Sequence, residues 1–371
     1  MNGHGTRESD DFQLLGQRLG GEQIRFSRRE RLLNLSDRIE VAAGRMPAPS
    51  QPWRDGASLD VQAMRCRTGP LTNPRHRLSA AMNQPPMPRV VYITSRGHSG
   101  STLLSLLLSG HSRVVSAGEL KMLVQTDPQR RLCSCHRLLA DACPFWRQVQ
   151  ERVIAAVGLP LAQLALNDQG DATMFARHNG ALFAAIAAVS GCDVIVDSSK
   201  SLPRLLRLQE ACQSGTGSGF ELLPIHLHRG PFGSMNSARK RGEELRRAAF
   251  NYSRMFFLTL EGLRRQRALR VYYERLAAEP RAEMARVMAW LSLPLEEAQF
   301  QWREGVRRDI HGNAMRFGSS AEIRLDQSWR HQLSWRQKLG VFAWTLPVRL
   351  RSQWLFQCTR RLIEPGLRPF A

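Results

Sequence analysis

From Arg89 onward, the apolar positions fall into short, β-branched runs separated by longer stretches with helical spacing. Val90-Val91-Tyr92-Ile93, Asp193-Val194-Ile195-Val196, Leu222–Leu227 and Leu269–Tyr272 each read as a buried strand. Between them, Thr102–Ser109, Pro144–Val157, Met174–Val189, Gly233–Arg247 and Ala248–Gln266 read as helices. Strands bounded by turns and separated by helices predict an α/β fold with a mostly parallel central sheet flanked by helices. Such sheets bind their ligands at the carboxyl ends of the strands.

Residues 1–88 lack this pattern. They mix Gly, Pro, Ser and Arg, permit one amphipathic helix over Gln23–Val41, and end in Asn83-Gln84-Pro85-Pro86-Met87-Pro88. We expect a disordered basic extension over 1–88, one domain over 89–371, and a natural start at Met82, directly before the first strand. No apolar run reaches the roughly 18 residues of a membrane span. Ser27-Arg28-Arg29-Glu30-Arg31-Leu32-Leu33 has the look of a twin-arginine signal, but polar Asn34–Glu40 follows where an apolar region is required. A cytoplasmic location is expected.

Composition excludes disorder throughout, since 43% of the 371 residues are hydrophobic and 23% charged. The net charge of +21 asks either for an anionic partner or for a coding bias toward arginine, because lysine occurs only at Lys121, Lys200, Lys240 and Lys338. Charge alone allows a nucleic-acid-binding protein, but no reader motif accompanies it, and no nucleic-acid partner is expected. Seven cysteines, an odd number spread over a long chain, do not form a disulfide framework.

The chemistry concentrates after the first strand, in Thr94-Ser95-Arg96-Gly97-His98-Ser99-Gly100-Ser101-Thr102. Glycines let backbone N–H groups face an anion, and the following helix adds its positive end. Ser99, Ser101 and Thr102 supply hydroxyls. Ser101 stands where a nucleoside-triphosphatase loop requires lysine, so an anionic donor other than a triphosphate is favoured. A second segment, Leu223 to Arg241, places Arg229 at a strand end, then a Gly-Pro turn, then a helix with Ser237 and Arg241 on one face. These three side chains can grip a second phosphate.

Together the segments resemble the sulfotransferase superfamily, whose donor is 3′-phosphoadenosine 5′-phosphosulfate (PAPS). In that family a P-loop-type turn holds the 5′-phosphosulfate, and an Arg followed eight residues later by a Ser holds the 3′-phosphate, the spacing of Arg229 and Ser237. A third element, a strand ending in Tyr-Glu-x-Leu before a Pro, is matched by Tyr273-Glu274-Arg275-Leu276 and Pro280, and implies that Tyr273 contacts the nucleotide. The likeness is closest to bacterial relatives of the tyrosylprotein and carbohydrate branch. It implies a sulfotransferase-like domain over 89–371 that moves a sulfuryl group to a hydroxyl on a carbohydrate, another small molecule or, less favoured, a peptidyl tyrosine.

By the same resemblance Glu119, in Ser116-Ala117-Gly118-Glu119, is the general base. The family often has Arg or Lys immediately before Ser99-Gly100 to stabilise the leaving group; this chain has His98, with Arg96 two residues earlier, and the role is open between them. Lys200 at the end of the second strand is the candidate for the transferring group, with Ser198 beside it. Gly97, Ser99, Gly100, Ser101, Thr102, Arg229, Ser237, Arg241 and Tyr273 are the expected donor-binding residues. Asn313 and Arg316, in a loop like one that closes over the cofactor in some relatives, join them. No metal is required. Asp197 after its apolar strand also fits a magnesium site, the mark of a P-loop kinase, which is the alternative enzyme.

Cys133-Ser134-Cys135-His136 and Cys143 resemble a cysteine-rich insertion of bacterial members. C-x-C spacing is cramped for zinc, so buried thiols or a redox-sensitive pair are expected over a metal site. Trp302, Trp329, Trp335, Trp344 and Trp354 lie among many arginines near the end. Core packing accounts for such a mixture more simply than an acceptor lid or a membrane-surface helix, although peripheral membrane contact stays open.

Overall fold

β1, Arg89–Thr94, is the central strand of the sheet, and all but its first residue are buried, as in a strand covered on both faces. The computed structural model describes residues 87–124, 132–138, 143–167, 170–213, 219–264, 266–303, 307–317 and 322–352. The expected basic extension, the Met82 start, the helix over Gln23–Val41 and Trp354 lie outside the described residues.

After β1 come α1 (Ser101–Ser109), β2 (Val114–Gly118), α2 (Pro144–Val157), α3 (Ala172–Ser190), β3 (Val194–Lys200), α4 (Leu202–Gln213) and β4 (Glu221–His228). Then follow α5 (Pro231–Lys240), α6 (Leu245–Gly262), β5 (Leu269–Tyr272), α7 (Tyr273–Ala278), α8 (Pro280–Trp290), α9 (Trp329–Gln332) and α10 (Trp335–Trp344). The five strands pair in the order β2-β3-β1-β4-β5, and every pairing is parallel. The expected α/β class is therefore observed, with the four anticipated strands in place.

Alternation along β1 divides the core. Val90 and Tyr92 face Phe145, Trp146, Phe175 and Phe183 from α2 and α3. Val91 and Ile93 face the leucines of α1, Met284 and Met288 of α8, and Trp302. A third cluster joins Met235 and Ala238 of α5 to Tyr252 and Phe256 of α6, closed by Val341 and Val348. The aromatic-rich end of the chain is thus part core and part surface: Trp302 is buried, whereas Trp335, Leu339 and Leu350 are exposed.

Two departures from expectation bear on the site. β2 has no counterpart among the predicted strands, because VVSAG is short and three of its five residues are small. The helix expected over Gly233–Arg247 stops at Lys240. Gly242 takes a left-handed φ of 79°, and Glu244 then caps α6 by accepting from the N–H groups of Arg246 at 2.8 Å and Arg247 at 2.7 Å. Among the described residues, no helix is long and apolar enough to cross a membrane.

Candidate active site

A cavity of about 900 Å³ opens at the carboxyl ends of β1, β3 and β4, where a parallel sheet is expected to hold its ligand. Its first wall is the loop from β1 to α1. Gly100 caps α1 with φ 91°, and a Cβ there would lie 2.5 Å from Cδ2 of Tyr273. Glycine is required at this position by both conformation and space. At Gly97 an added Cβ would meet nothing within 4 Å, so that glycine is not held by packing.

Arg229, directly after β4, ties this wall to the segments that carry Tyr273 and Asp326. Its Nη1 donates to the His98 carbonyl at 2.8 Å, its Nη2 to Oδ2 of Asp326 at 2.8 Å, and its guanidinium lies 4.6 Å from the centre of the Tyr273 ring. Nε of this buried arginine has no partner among the described residues. The Tyr273 hydroxyl accepts from the Asp326 N–H at 3.2 Å. The segment carrying Asp326 is thereby fixed over Arg229 from two sides.

Glu119 forms the opposite wall. It directly follows Gly118, whose φ of 74° and a hypothetical Cβ only 2.3 Å from the Ile310 carbonyl make glycine necessary. The Glu119 N–H donates to that same carbonyl at 2.9 Å, and the carboxylate is nearly buried. Oε1 accepts from Nζ of Lys200, which ends β3 in a left-handed conformation with φ 65°. The loop at Gly312 approaches both Glu119 and Thr102, and the Asn313 N–H donates to Oγ1 of Thr102 at 3.4 Å.

Twelve of the fifteen residues anticipated from the sequence line this one cavity: Arg96, Gly97, His98, Gly100, Ser101, Thr102, Glu119, Lys200, Arg229, Ser237, Tyr273 and Asn313. Three do not. Ser99 is buried behind the loop, in a small recess with His226, His228 and Tyr252. Arg241 ends α5 rather than continuing its face, and bonds to Glu243 at 2.9 Å through Nε. Arg316 is buried, donating from Nη1 to the carbonyls of Leu132 at 2.8 Å and Asp309 at 2.9 Å.

Lys121, Glu322, Arg324 and Asp326, not anticipated from the sequence, also line the cavity, as does His311 at the start of the Asn313 loop. Lys121 follows Glu119 closely enough to have been found. Residues 322–326 show no periodicity, and only the fold carries them to Arg229. With Arg96, Lys200 and Arg229, these make five cations against three carboxylates around the cavity, a setting that favours an anionic ligand.

Burial, followed by Arg241, Lys200, Arg229 and Arg96, pulls the His98 pKa below the ordinary imidazole value. His98 is therefore a neutral hydrogen-bond donor at neutral pH. Arg96 is held by Glu243, Nη2 to Oε2 at 3.1 Å; burial lowers its pKa, yet an arginine so placed stays cationic.

Asp197 is fully committed elsewhere. One oxygen accepts from the Ser199 N–H at 3.0 Å, and the other from Nη2 of the buried Arg204 at 3.0 Å. Its lone pairs satisfy an internal cation rather than facing the cavity, which removes the feature that favoured a kinase.

Fold and site together define a parallel α/β protein with a glycine-loop cavity rich in cations. No protein-family model matches the chain, and no curated protein matches it. Solved structures to which it is similar include two sulfotransferase domains and a mycobacterial sulfotransferase. The sulfotransferase domain of the Synechococcus PCC 7002 olefin synthase aligns with 71% of this chain and 94% of its own, at 19% identity and a TM-score of 0.46. The sulfotransferase domain of the curacin biosynthetic pathway aligns with 71% and 98%, at 20% identity and a TM-score of 0.45. Sulfotransferase STF9 of Mycobacterium avium aligns with 74% and 79%, at 15% identity and a TM-score of 0.37.

Proposed function

We propose that the protein is a sulfotransferase that moves a sulfuryl group from PAPS to a hydroxyl of a carbohydrate or another small molecule. The observation that carries this reading is the meeting of Glu119, Lys200, Arg229 and the Gly100 loop around one cavity. Its volume of about 900 Å³ is at the upper end of small-ligand pockets, room for a nucleotide donor together with an acceptor. The donor fits the residues present: the unpartnered Nε of buried Arg229 awaits an acceptor oxygen, Tyr273 offers a ring face, and Ser237 a hydroxyl.

In the reaction, the acceptor oxygen forms a bond to sulfur as the bridging bond between sulfate and phosphate breaks. The acceptor proton passes to Glu119, and the electron pair of the broken bond leaves on the nucleotide phosphate. Lys200, released from Glu119, meets the charge on the transferring oxygens, while loop amides, His98 and Arg96 hold the leaving phosphate. Neutral His98 acts by hydrogen bonding and Arg96 by charge, so the two are complementary. Arg229 and Ser237 take the 3′-phosphate once Asp326 yields its place on Arg229.

Calorimetric titration with 3′,5′-adenosine bisphosphate in magnesium-free buffer tests donor recognition. Binding that ATP displaces poorly is expected. Binding of ATP alone, and only with magnesium, would restore the kinase.

A further inference from the structure

A second cluster of reactive groups lies outside the cavity. The Sγ atoms of Cys133, Cys135 and Cys143 all lie within 4.8 Å of one another, with Cys133 and Cys143 buried and Cys135 half-buried. Two separate stretches build it. A tight turn, in which the His136 N–H donates to the Cys133 carbonyl at 2.9 Å and His136 takes φ 63°, folds Cys135 back toward Cys133. Cys143 comes from the other stretch, as the N-cap of the 14-residue α2. The spacing that looks cramped on paper is thus opened by the turn, and the third sulfur arrives from elsewhere.

We propose that Cys133, Cys135 and Cys143 bind a single thiophilic metal ion of the zinc class, with its fourth position taken by water or an external ligand. With zinc–sulfur bonds of ~2.3 Å, tetrahedral geometry sets sulfurs ~3.8 Å apart, a spacing the cluster reaches with small side-chain adjustments. A disulfide would use two of the sulfurs and strand the third. Three thiolates around a divalent ion leave one negative charge, and the buried guanidinium of Arg316 sits against the same turn through the Leu132 carbonyl. This assigns Arg316 a role beneath the loop that its absence from the cavity otherwise leaves open.

The ion would position the active site from behind. Cys133 bridges to Ile310, and the Ser134 N–H donates to the Asp309 carbonyl at 2.8 Å. Ile310 in turn bridges to Gly118 and accepts from the Glu119 N–H. Metal at the cysteines thus braces the backbone that carries Glu119 without touching the reactants. The binding itself does not depend on the proposed reaction.

The test uses the full chain purified with a thiol reductant and supplied with zinc. Elemental analysis is expected to find about one zinc per chain. Cobalt in its place is expected to show thiolate-to-cobalt charge-transfer absorption, and C143S to lose both signals. As a readout independent of variant folding, zinc is expected to slow alkylation of Cys133, Cys135 and Cys143 at least tenfold while leaving Cys192 and Cys212 unchanged. A wild-type chain that takes up neither ion, a disulfide between two of the three thiols in the reduced preparation, or alkylation unaffected by zinc would overturn the site.

Discussion

Lys200 at the end of β3 donates from Nζ to Oε1 of Glu119, directly after β2, so two neighbouring strands deliver a carboxylate and an ammonium to one point. The side chains are 17% and 7% exposed, which shields the pair from bulk water. In the proposed reaction the pair separates, the carboxylate turning to the acceptor and the ammonium to the sulfuryl oxygens. Glu119→Gln keeps the shape and removes the base, so kcat should fall by ~10²–10⁴-fold while donor affinity changes little. Lys200→Met should also lower kcat with donor binding retained. Steady-state kinetics with saturating donor separate these effects, and full turnover by Glu119→Gln would remove it as the base.

Arg229 should act on binding more than on turnover. Replacing it with alanine removes charged hydrogen bonds worth ~1.5–3 kcal/mol each, so affinity for 3′,5′-adenosine bisphosphate should fall by at least ~10-fold. Arg229→Lys should rescue this only in part, because lysine cannot hold the His98 carbonyl and face a phosphate at once as the planar guanidinium can. Calorimetry on the two variants gives the comparison.

The two loop glycines make an internal control. Gly100→Ala puts a Cβ into the Tyr273 ring at a left-handed φ and should abolish measurable donor binding, whereas Gly97→Ala, with open space around it, should bind within about threefold of the parent. Equal loss in both would mean that the loop amides, rather than the contact with Tyr273, set the requirement.

The Asp197–Arg204 pair is a structural matter in this account. Both side chains are almost fully buried, so Asp197→Ala leaves an uncompensated cation and should destabilise the fold by ~3–5 kcal/mol in chemical denaturation. Omitting magnesium should leave turnover of the parent protein unchanged. A magnesium requirement lost in Asp197→Asn would reassign the residue.

Acid should weaken the fold through β4. Burial pushes His226 down to about 3 and His228 down to about 4, with His228 and Arg270 adding to the shift at His226. The unfolded chain protonates both near the ordinary value of about 6.5. Their stabilisation is therefore complete above that pH and declines as pH falls toward the folded values, by ~1.4 kcal/mol per pH unit for each histidine. Denaturation midpoints at pH 7 and pH 5 should differ accordingly, and His228→Phe should reduce the difference.

The sheet was legible because its strands are apolar, β-branched and bounded by turns, and the loop because glycine and hydroxyl residues there have few other uses. β2 escaped because small residues give no periodic signal, although Gly118 and Glu119 at its end were singled out. Ser237 reaches the cavity while the side chain of Arg241, the C-cap of α5, turns to Glu243, which i, i+4 spacing cannot foresee. Asp326 has no local mark at all; only the packing of its segment against Arg229 and Tyr273 brings it to the cavity. The cysteines were visible as a cluster, but the turn at His136 that gathers their sulfurs was not.

The most direct test of the central claim is transfer itself: the purified chain, PAPS and a panel of carbohydrate and small-molecule hydroxyl acceptors in magnesium-free buffer, with products resolved by mass spectrometry. A sulfated product formed together with 3′,5′-adenosine bisphosphate is expected, and its loss in Glu119→Gln. Phosphorylated products formed only with ATP and magnesium, with no sulfated species from any acceptor, would contradict it.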